Sequence, residues 1–316
     1  MPRLVPFRES IRVRNPVLEL SGMVSFNEFL GLYISSLVVA MLVGLLLVVG
    51  YRNLFLRKIL SSLRYNSIYI LFMVALPVII IVFFDLLAPS NPRSIVRENV
   101  YTNWMFQIAG GTIRVLQERL NYRVFTDFFV VAYVWAFAYI TFFSPMLLLA
   151  KDDRANLRRY AIAMILNYLI LIPFYVLFPV SVTGTYPESG VTPLLYVSTH
   201  WGRMVTSIDP LNNGFPSGHT SLCVVTLLVF AMAGPAYRRY VYFLAGATAS
   251  IVFSVLYLGI HWPFDIFVGF LLAVFVVAVS GIDRIQMTID RYVRRLTVML
   301  FCEAEVPESD GERPRS

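Results

Sequence analysis

The chain has 316 residues, 58% of them hydrophobic and only 14% charged, with a mean hydropathy of +0.70. That balance excludes an ordinary soluble domain, where about a quarter of residues are charged. The formal net charge of +7 does not call for nucleic acid. In so apolar a chain it fits arginines that face anionic lipid and fix topology, so no nucleic-acid partner is expected.

Met1 to Leu20 lack the basic–apolar–small order of a cleaved signal peptide, and none is expected. Arg3, Arg8, Arg12 and Arg14 alternate with apolar residues there, as in an interfacial segment. Seven apolar runs of about bilayer length follow. The first is Phe29–Gly50. The second, Ile68–Leu87, has Asp85 near its end, an interfacial position. Residues 89–126 are arginine-rich and broken by Gly110-Gly111. Ile113, Leu116 and Leu120 lie there at helical spacing, which predicts an amphipathic helix on the membrane.

The third and fourth runs are Phe128–Ala150 and Tyr160–Val180, with Pro173 expected to kink the latter. A polar loop over 181–217 carries Gly184, Pro187, Gly190, Pro193, Pro210 and Gly214, which read as turns. The last three runs are Ser217–Ala233, Tyr240–Ile260 and Phe264–Gly281. Beyond them Ile282, Ile285, Ile289, Val293 and Leu296 form one face among Arg284, Arg291, Arg294 and Arg295, a basic amphipathic helix. The tail from Glu303 is polar and expected to be disordered. Cys223 and Cys302 are too few for a disulfide framework and read as plain thiols.

These runs predict an all-α fold, a polytopic membrane bundle of about six to seven transmembrane helices. Only helices and closed barrels satisfy their own backbone in lipid. Three regions are expected: 1–126, with two spans and an interfacial region; 127–282, the main helical bundle; and 283–316, the basic helix and tail. Basic residues place Arg52, Arg57, Lys58, Arg64, Lys151, Arg154, Arg158, Arg159, Arg238 and Arg239 on one side, which the positive-inside rule makes cytoplasmic. The 181–217 loop has one basic residue, Arg203, and the 261–263 turn has none, so that face is expected to be extracytoplasmic.

Two stretches on that face carry the chemistry: Asn212-Asn213-Gly214-Phe215-Pro216-Ser217-Gly218-His219-Thr220-Ser221 and Ser254-Val255-Leu256-Tyr257-Leu258-Gly259-Ile260-His261-Trp262-Pro263-Phe264-Asp265. A helical hairpin puts His219 and His261 at one depth. The chain has only three histidines, and the third, His200, falls in the loop on the same face. Pro263 breaks the helix, so Asp265 can fold back on the His261 imidazole. A carboxylate accepting the Nδ1 proton leaves Nε2 free as a nucleophile. His219 can then protonate a leaving oxygen. Ser217 and Gly218 open a helix whose N–H groups and dipole suit an anion. Taken singly, a histidine at a span end is usually interfacial and Ser-Gly before a helix is usually a cap. The ordered pair on one face is far more specific.

The two stretches resemble the second and third signature motifs of the type 2 phosphatidic acid phosphatase (PAP2) superfamily, mainly over 179–282. That superfamily includes lipid phosphatases, lipid phosphotransferases and soluble vanadium haloperoxidases. The resemblance implies that His219 is the acid/base, that His261 becomes a phosphohistidine and that Asp265 assists it. Ser217 and Gly218, with Thr220 and Arg203, are expected to bind substrate. It implies no metal and no cofactor, with a phospholipid or lipid-phosphate substrate among membrane lipids, at the plasma membrane.

Two departures from the phosphatase pattern matter. Val255 stands where an arginine is usual. The first motif, a lysine six residues before Arg-Pro, is absent from 181–217, and Lys151 with Arg158 has the spacing but lies across a span without the proline. A dianionic monoester wants several cations and a monoanionic diester fewer. The pattern therefore looks like the phosphotransferase branch, with inositol phosphorylceramide and sphingomyelin synthases, which passes a phospho-headgroup, such as inositol phosphate, between lipids. A lipid-phosphate phosphatase acting on phosphatidate or a polyprenyl phosphate is the alternative. An inactive lipid-binding or transport protein is the third.

Overall fold

The computed structural model describes residues 25–50, 59–60, 62–63, 66–87, 92–109, 111–120, 122–197, 199–207 and 211–301. The N-terminal arginines, Arg52, Arg57, Lys58, Arg64, Cys302 and the tail from Glu303 lie outside the described residues. So does the Asp85 side chain.

Helix α1 is Phe26–Val48. Ser25 caps it reciprocally: Glu28 N–H donates to Ser25 Oγ at 3.3 Å and Ser25 N–H to Glu28 Oε2 at 2.7 Å, which satisfies two orphan donors of the first turn. Helix α2 is Ser67–Leu87. The described part of residues 89–126 gives two helices, α3 (Pro92–Ala109) and α4 (Thr112–Arg119, with Gly111 as its N-cap), and the beginning of a third. Helix α5 runs 28 residues, Arg123–Ala150, with a π-helical stretch at Ala132–Ala136.

Helix α6, Arg154–Leu177, is capped by Asp153 and continues past Pro173. The polar loop contains two 3₁₀ turns and two short helices, α7 (Leu194–Val197) and α8 (Thr199–Thr206). Then come α9 (Gly218–Met232), α10 (Arg238–Tyr257), α11 (Pro263–Ser280) and α12 (Asp283–Phe301). No named strand occurs among the described residues; one isolated bridge joins Val180 and Asn213.

Each of the seven apolar runs is helical. Among the described residues, five helices are long and apolar enough to cross a membrane: α1, α5, α6, α10 with its leading 3₁₀ turn, and α11. The described parts of α2 and α9 are shorter apolar helices. Large side chains such as Leu32, Leu42, Leu47, Phe142, Phe267 and Phe275 are exposed, as a lipid-facing surface requires. The chain is thus a membrane-embedded all-α bundle.

Helix α9 is the axis of the bundle and packs against α5, α6, α10 and α11. At 15 residues it spans only about 22 Å at 1.5 Å per residue. Leu222, Cys223, Val224, Val225, Val229 and Phe230 are all buried, so it meets protein on most sides and need not match the bilayer. Its core partners include Ile140, Phe143, Leu147, Leu157, Tyr160, Ile251, Ala273 and Val276.

Periodicity assigns the apolar face of α4 to the membrane, but that face meets protein. Ile113 is 2% exposed, and Leu116 and Leu120 pack on the cluster around Val130, Tyr133, Val182, Tyr257 and Ile260. An amphipathic stripe has the same period whether lipid or protein covers it. At the other end of the bundle Asp290 of α12 accepts from Tyr69 of α2 and Arg158 of α6. Arg158 is thereby held at the end of α6 opposite the polar loop.

Candidate active site

The site forms where the α9 N-terminus meets the turn between α10 and α11. Helix α10 ends because Gly259 adopts φ +78°, a left-handed conformation that glycine tolerates and that closes many helices. Gly259 N–H donates to the Leu256 carbonyl at 3.1 Å; the N–H groups of Ile260 and His261 donate to the Val255 carbonyl at 3.1 and 2.9 Å. The chain is then free to turn, and Pro263 begins α11, where a missing N–H costs nothing.

His261 is 4% exposed. Its Nδ1 lies 2.8 Å from the Gly214 carbonyl oxygen and 3.5 Å from Asp265 Oδ2. The carboxylate was expected to fix the tautomer, but the shorter partner is the carbonyl. A backbone carbonyl can only accept, so Nδ1 carries the proton and Nε2 keeps its lone pair. The Gly214 carbonyl is itself held in place. Gly214 N–H donates to the Val180 carbonyl at 2.9 Å, and Val180 N–H to the Asn212 carbonyl at 3.0 Å. A Cβ on residue 214 would stand 2.8 Å from that Val180 oxygen, closer than side chains tolerate.

Asp265 is fully buried. Its Oδ2 accepts from Trp262 N–H at 2.8 Å, and its Oδ1 has no partner. Its backbone carbonyl accepts from Ser217 N–H at 3.0 Å, which locks the two motif stretches together. Ser217 is the α9 N-cap; its Oγ accepts from Thr220 N–H at 3.3 Å. Among the described residues the N–H groups of Gly218 and His219 have no acceptor. Two free donors at a helix N-terminus suit an anion. Thr220 is buried, and its Oγ1 has no partner.

The His219 ring stands 6.2 Å from the His261 ring, centroid to centroid. It lies between Tyr133, at 4.4 Å and nearly parallel, and Phe137, at 4.3 Å. Sequence reasoning missed these two. An aromatic residue in an apolar span carries no mark that separates it from ordinary packing. It also missed Gly214, whose contribution is a backbone carbonyl.

Ser217, Gly218, His219, Thr220, His261 and Asp265 therefore come together. Arg203 does not join them by any described contact. It lies on α8, exposed, with its guanidinium 4.4 Å over the Phe26 ring. His200, one turn earlier, packs against Phe29 at 5.1 Å and Phe26 at 6.2 Å. Val255, at the position of the expected arginine, is fully buried among apolar side chains.

Helices α3 and α4 cover this end. Ser181 N–H donates to Thr102 Oγ1 at 2.9 Å and its hydroxyl to Glu98 at 2.6 Å. Its carbonyl accepts from Trp262 Nε1 at 3.0 Å, so α3 is tied to the residue next to His261. Gln117 of α4 accepts from Thr192 N–H at 2.8 Å and donates to the Thr192 and Tyr257 carbonyls at 2.9 and 2.7 Å.

The bundle thus brings together two histidines, a buried carboxylate and two N–H donors at a helix N-terminus. Residues 156–282, from α6 through the end of α11, match the family model described as the PAP2 superfamily. The membrane members of that superfamily are phosphatases or phosphotransferases acting on lipids. The match gives no support for the narrower synthase branch. No curated protein and no solved structure matches the chain.

Proposed function

We propose that the chain is an integral-membrane lipid phosphotransferase working through a phosphohistidine at His261. The observation that carries this reading is the facing pair of histidines, with His261 Nδ1 committed to the Gly214 carbonyl at 2.8 Å. Nε2 attacks phosphorus of a donor lipid. The P–O bond to the leaving lipid breaks, and His219 gives that oxygen its proton. Positive charge then builds on the imidazole, and Asp265 at 3.5 Å offsets it. The N–H groups of Gly218 and His219 receive the phosphorus oxygens. In the second half His219 takes the proton from an acceptor hydroxyl, whose oxygen attacks phosphorus and frees Nε2.

The choice of a lipid acceptor over water rests on charge. Among the described residues, the hydrogen-bond, ion-pair and ring contacts of Ser217, His219, His261 and Asp265 include no lysine or arginine. A diester brings one negative charge and a monoester dianion two, so the diester suits this site better. The test is to incubate purified protein with labelled phosphatidylinositol and a lipid-alcohol extract, and separately with labelled phosphatidate. A new phosphodiester lipid supports the transferase. Free phosphate makes the chain a phosphatase. Processing of neither substrate favours a binding or transport protein.

The site is proposed to face the extracytoplasmic side of the plasma membrane. Glu188 is exposed in the polar loop. A Glu188→Cys variant in a background without Cys223 and Cys302 is expected to react with impermeant thiol reagents in whole cells. Reaction only after lysis reverses the orientation.

A further inference from the structure

We infer that Tyr133 and Phe137 are positioning residues that clamp the His219 ring for proton transfer, so that α5, outside the PAP2-matched segment, completes the active site. The inference rests on the proposed acid/base role of His219.

No hydrogen bond from a described residue reaches either His219 ring nitrogen, in contrast to His261. Without a polar partner, the ring is oriented only by what it packs against. Tyr133 lies 4.4 Å away at an interplanar angle of 28° and Phe137 lies 4.3 Å away at 44°. Both are nearer than the His261 ring at 6.2 Å. Aromatic faces also attract a cation, so the clamp accommodates the imidazolium as well as the neutral ring. An acid/base that alternates between the two states is served by a holder that orients the ring in either one.

The backbone that presents these rings is irregular in a directed way. Tyr133 lies inside the π-helical stretch and Phe137 follows it directly. Phe137 N–H is shared between the Ala132 and Val134 carbonyls. The Val134 carbonyl also accepts from the Tyr33 hydroxyl of α1 at 3.1 Å, and Trp135 Nε1 donates to Ser36 of α1 at 3.0 Å. The π-turn is thus braced from outside its own helix. Such turns occur mostly as single-turn insertions, often at functional sites, because they re-aim side chains.

The test uses full-length protein in lipid nanodiscs, with phosphatidylinositol and phosphatidate as substrates. Phe137→Leu and Tyr133→Leu are expected to lower kcat about 10- to 100-fold with KM unchanged, the scale of misplacing a reacting group by around an ångström. Tyr133→Phe keeps the ring and is expected to stay within about threefold of wild type, since only ring contact is invoked. The three histidines also allow a readout independent of turnover. In ¹³C-histidine-labelled Phe137→Leu protein the His219 ring signal is expected to move toward its free position, while those of His200 and His261 stay fixed and report folding. Phe137→Met, bulky but without a ring face, serves where leucine unfolds the protein. Wild-type kcat and an unmoved His219 signal in these variants, beside an inactive His219→Gln, overturn the clamp and leave the proposed function standing. A loss confined to KM also overturns it and assigns the rings to substrate. An active His219→Gln overturns the proposed function itself.

Discussion

The two halves of the site hold the same kind of side chain by opposite means. On one half His261 is fixed by polar groups: a backbone carbonyl at 2.8 Å, a carboxylate at 3.5 Å and a turn closed by Gly259. On the other, His219 stands at the head of α9 with aromatic rings as its only described ring neighbours besides His261. Polar fixation commits one nitrogen to a proton and keeps the lone pair of the other in one direction, as a nucleophile needs. Apolar fixation orients a ring without committing either nitrogen, which suits the proposed acid/base. In the proposed mechanism the surroundings, more than the residue type, divide the labour.

The largest effect breaks the polar half. His261→Ala is expected to lower turnover by about 10⁴-fold or more, the scale of removing a covalent nucleophile. His219→Ala is expected to cost about 10²- to 10⁴-fold, the range of general acid–base catalysis. Acid or denaturant quenching during turnover should trap phosphorus on histidine in wild type and not in His261→Ala. Near-normal activity in His261→Ala sinks the mechanism.

Asp265→Asn sharpens the comparison. Where a carboxylate alone sets a histidine's tautomer, its amide can cost about 10⁴-fold. Here the Gly214 carbonyl is the shorter partner, and an asparagine oxygen can still accept from Trp262 N–H. The expected loss is therefore nearer about 10²-fold in kcat, chiefly the missing charge beside the imidazolium. A loss of the full size would mean that Asp265, and not Gly214, fixes the ring.

Part of this arrangement was legible in the residues, and the illegible part has a physical reason. The seven apolar runs and the hairpin that brings His219 to His261 follow from local composition and spacing, whereas the helix break falls at Gly259 and Pro263 begins the next helix. The tautomer did not follow from them, because the Gly214 carbonyl lies 47 positions from His261 and every residue has a carbonyl. The aromatic holder of His219 did not, since Tyr133 and Phe137 sit in a helix that is apolar throughout. Nor did the docking of α4, whose stripe of Ile113, Leu116 and Leu120 does not declare what covers it.

Gly214→Ala probes the carbonyl without touching a titratable group. Its added methyl would meet the Val180 oxygen at 2.8 Å, so the 212–214 segment must shift and take the His261 acceptor with it. Overpacking of this kind typically costs about 1–3 kcal/mol, visible as a lower melting temperature. A kcat loss of about tenfold is expected beside it, from the loosened imidazole. Lower stability with unchanged kcat would detach Gly214 from the catalytic half.

Arg203 gives the smallest expected effect and tests whether the site has a third half-hidden component. It is the sole basic residue of 181–217, and developing charge on phosphorus oxygens would welcome a bidentate donor. Yet its guanidinium covers the Phe26 ring at 4.4 Å, on the same patch where His200 meets Phe29. That placement is a packing contact between α8 and α1, and an exposed cation–π pair is weak, of the order of 0.5–1 kcal/mol in general. Arg203→Ala is therefore expected to leave kcat within about threefold of wild type, and Arg203→Lys to restore the remainder, because a lysine can occupy the same face. A clamp on the reacting phosphate behaves differently. Its loss lowers kcat by about 10²-fold or more at saturating substrate, and lysine recovers little. Measuring both variants at saturation separates the two, and the larger loss would mean that α8 leaves Phe26 and closes over the histidines when substrate binds.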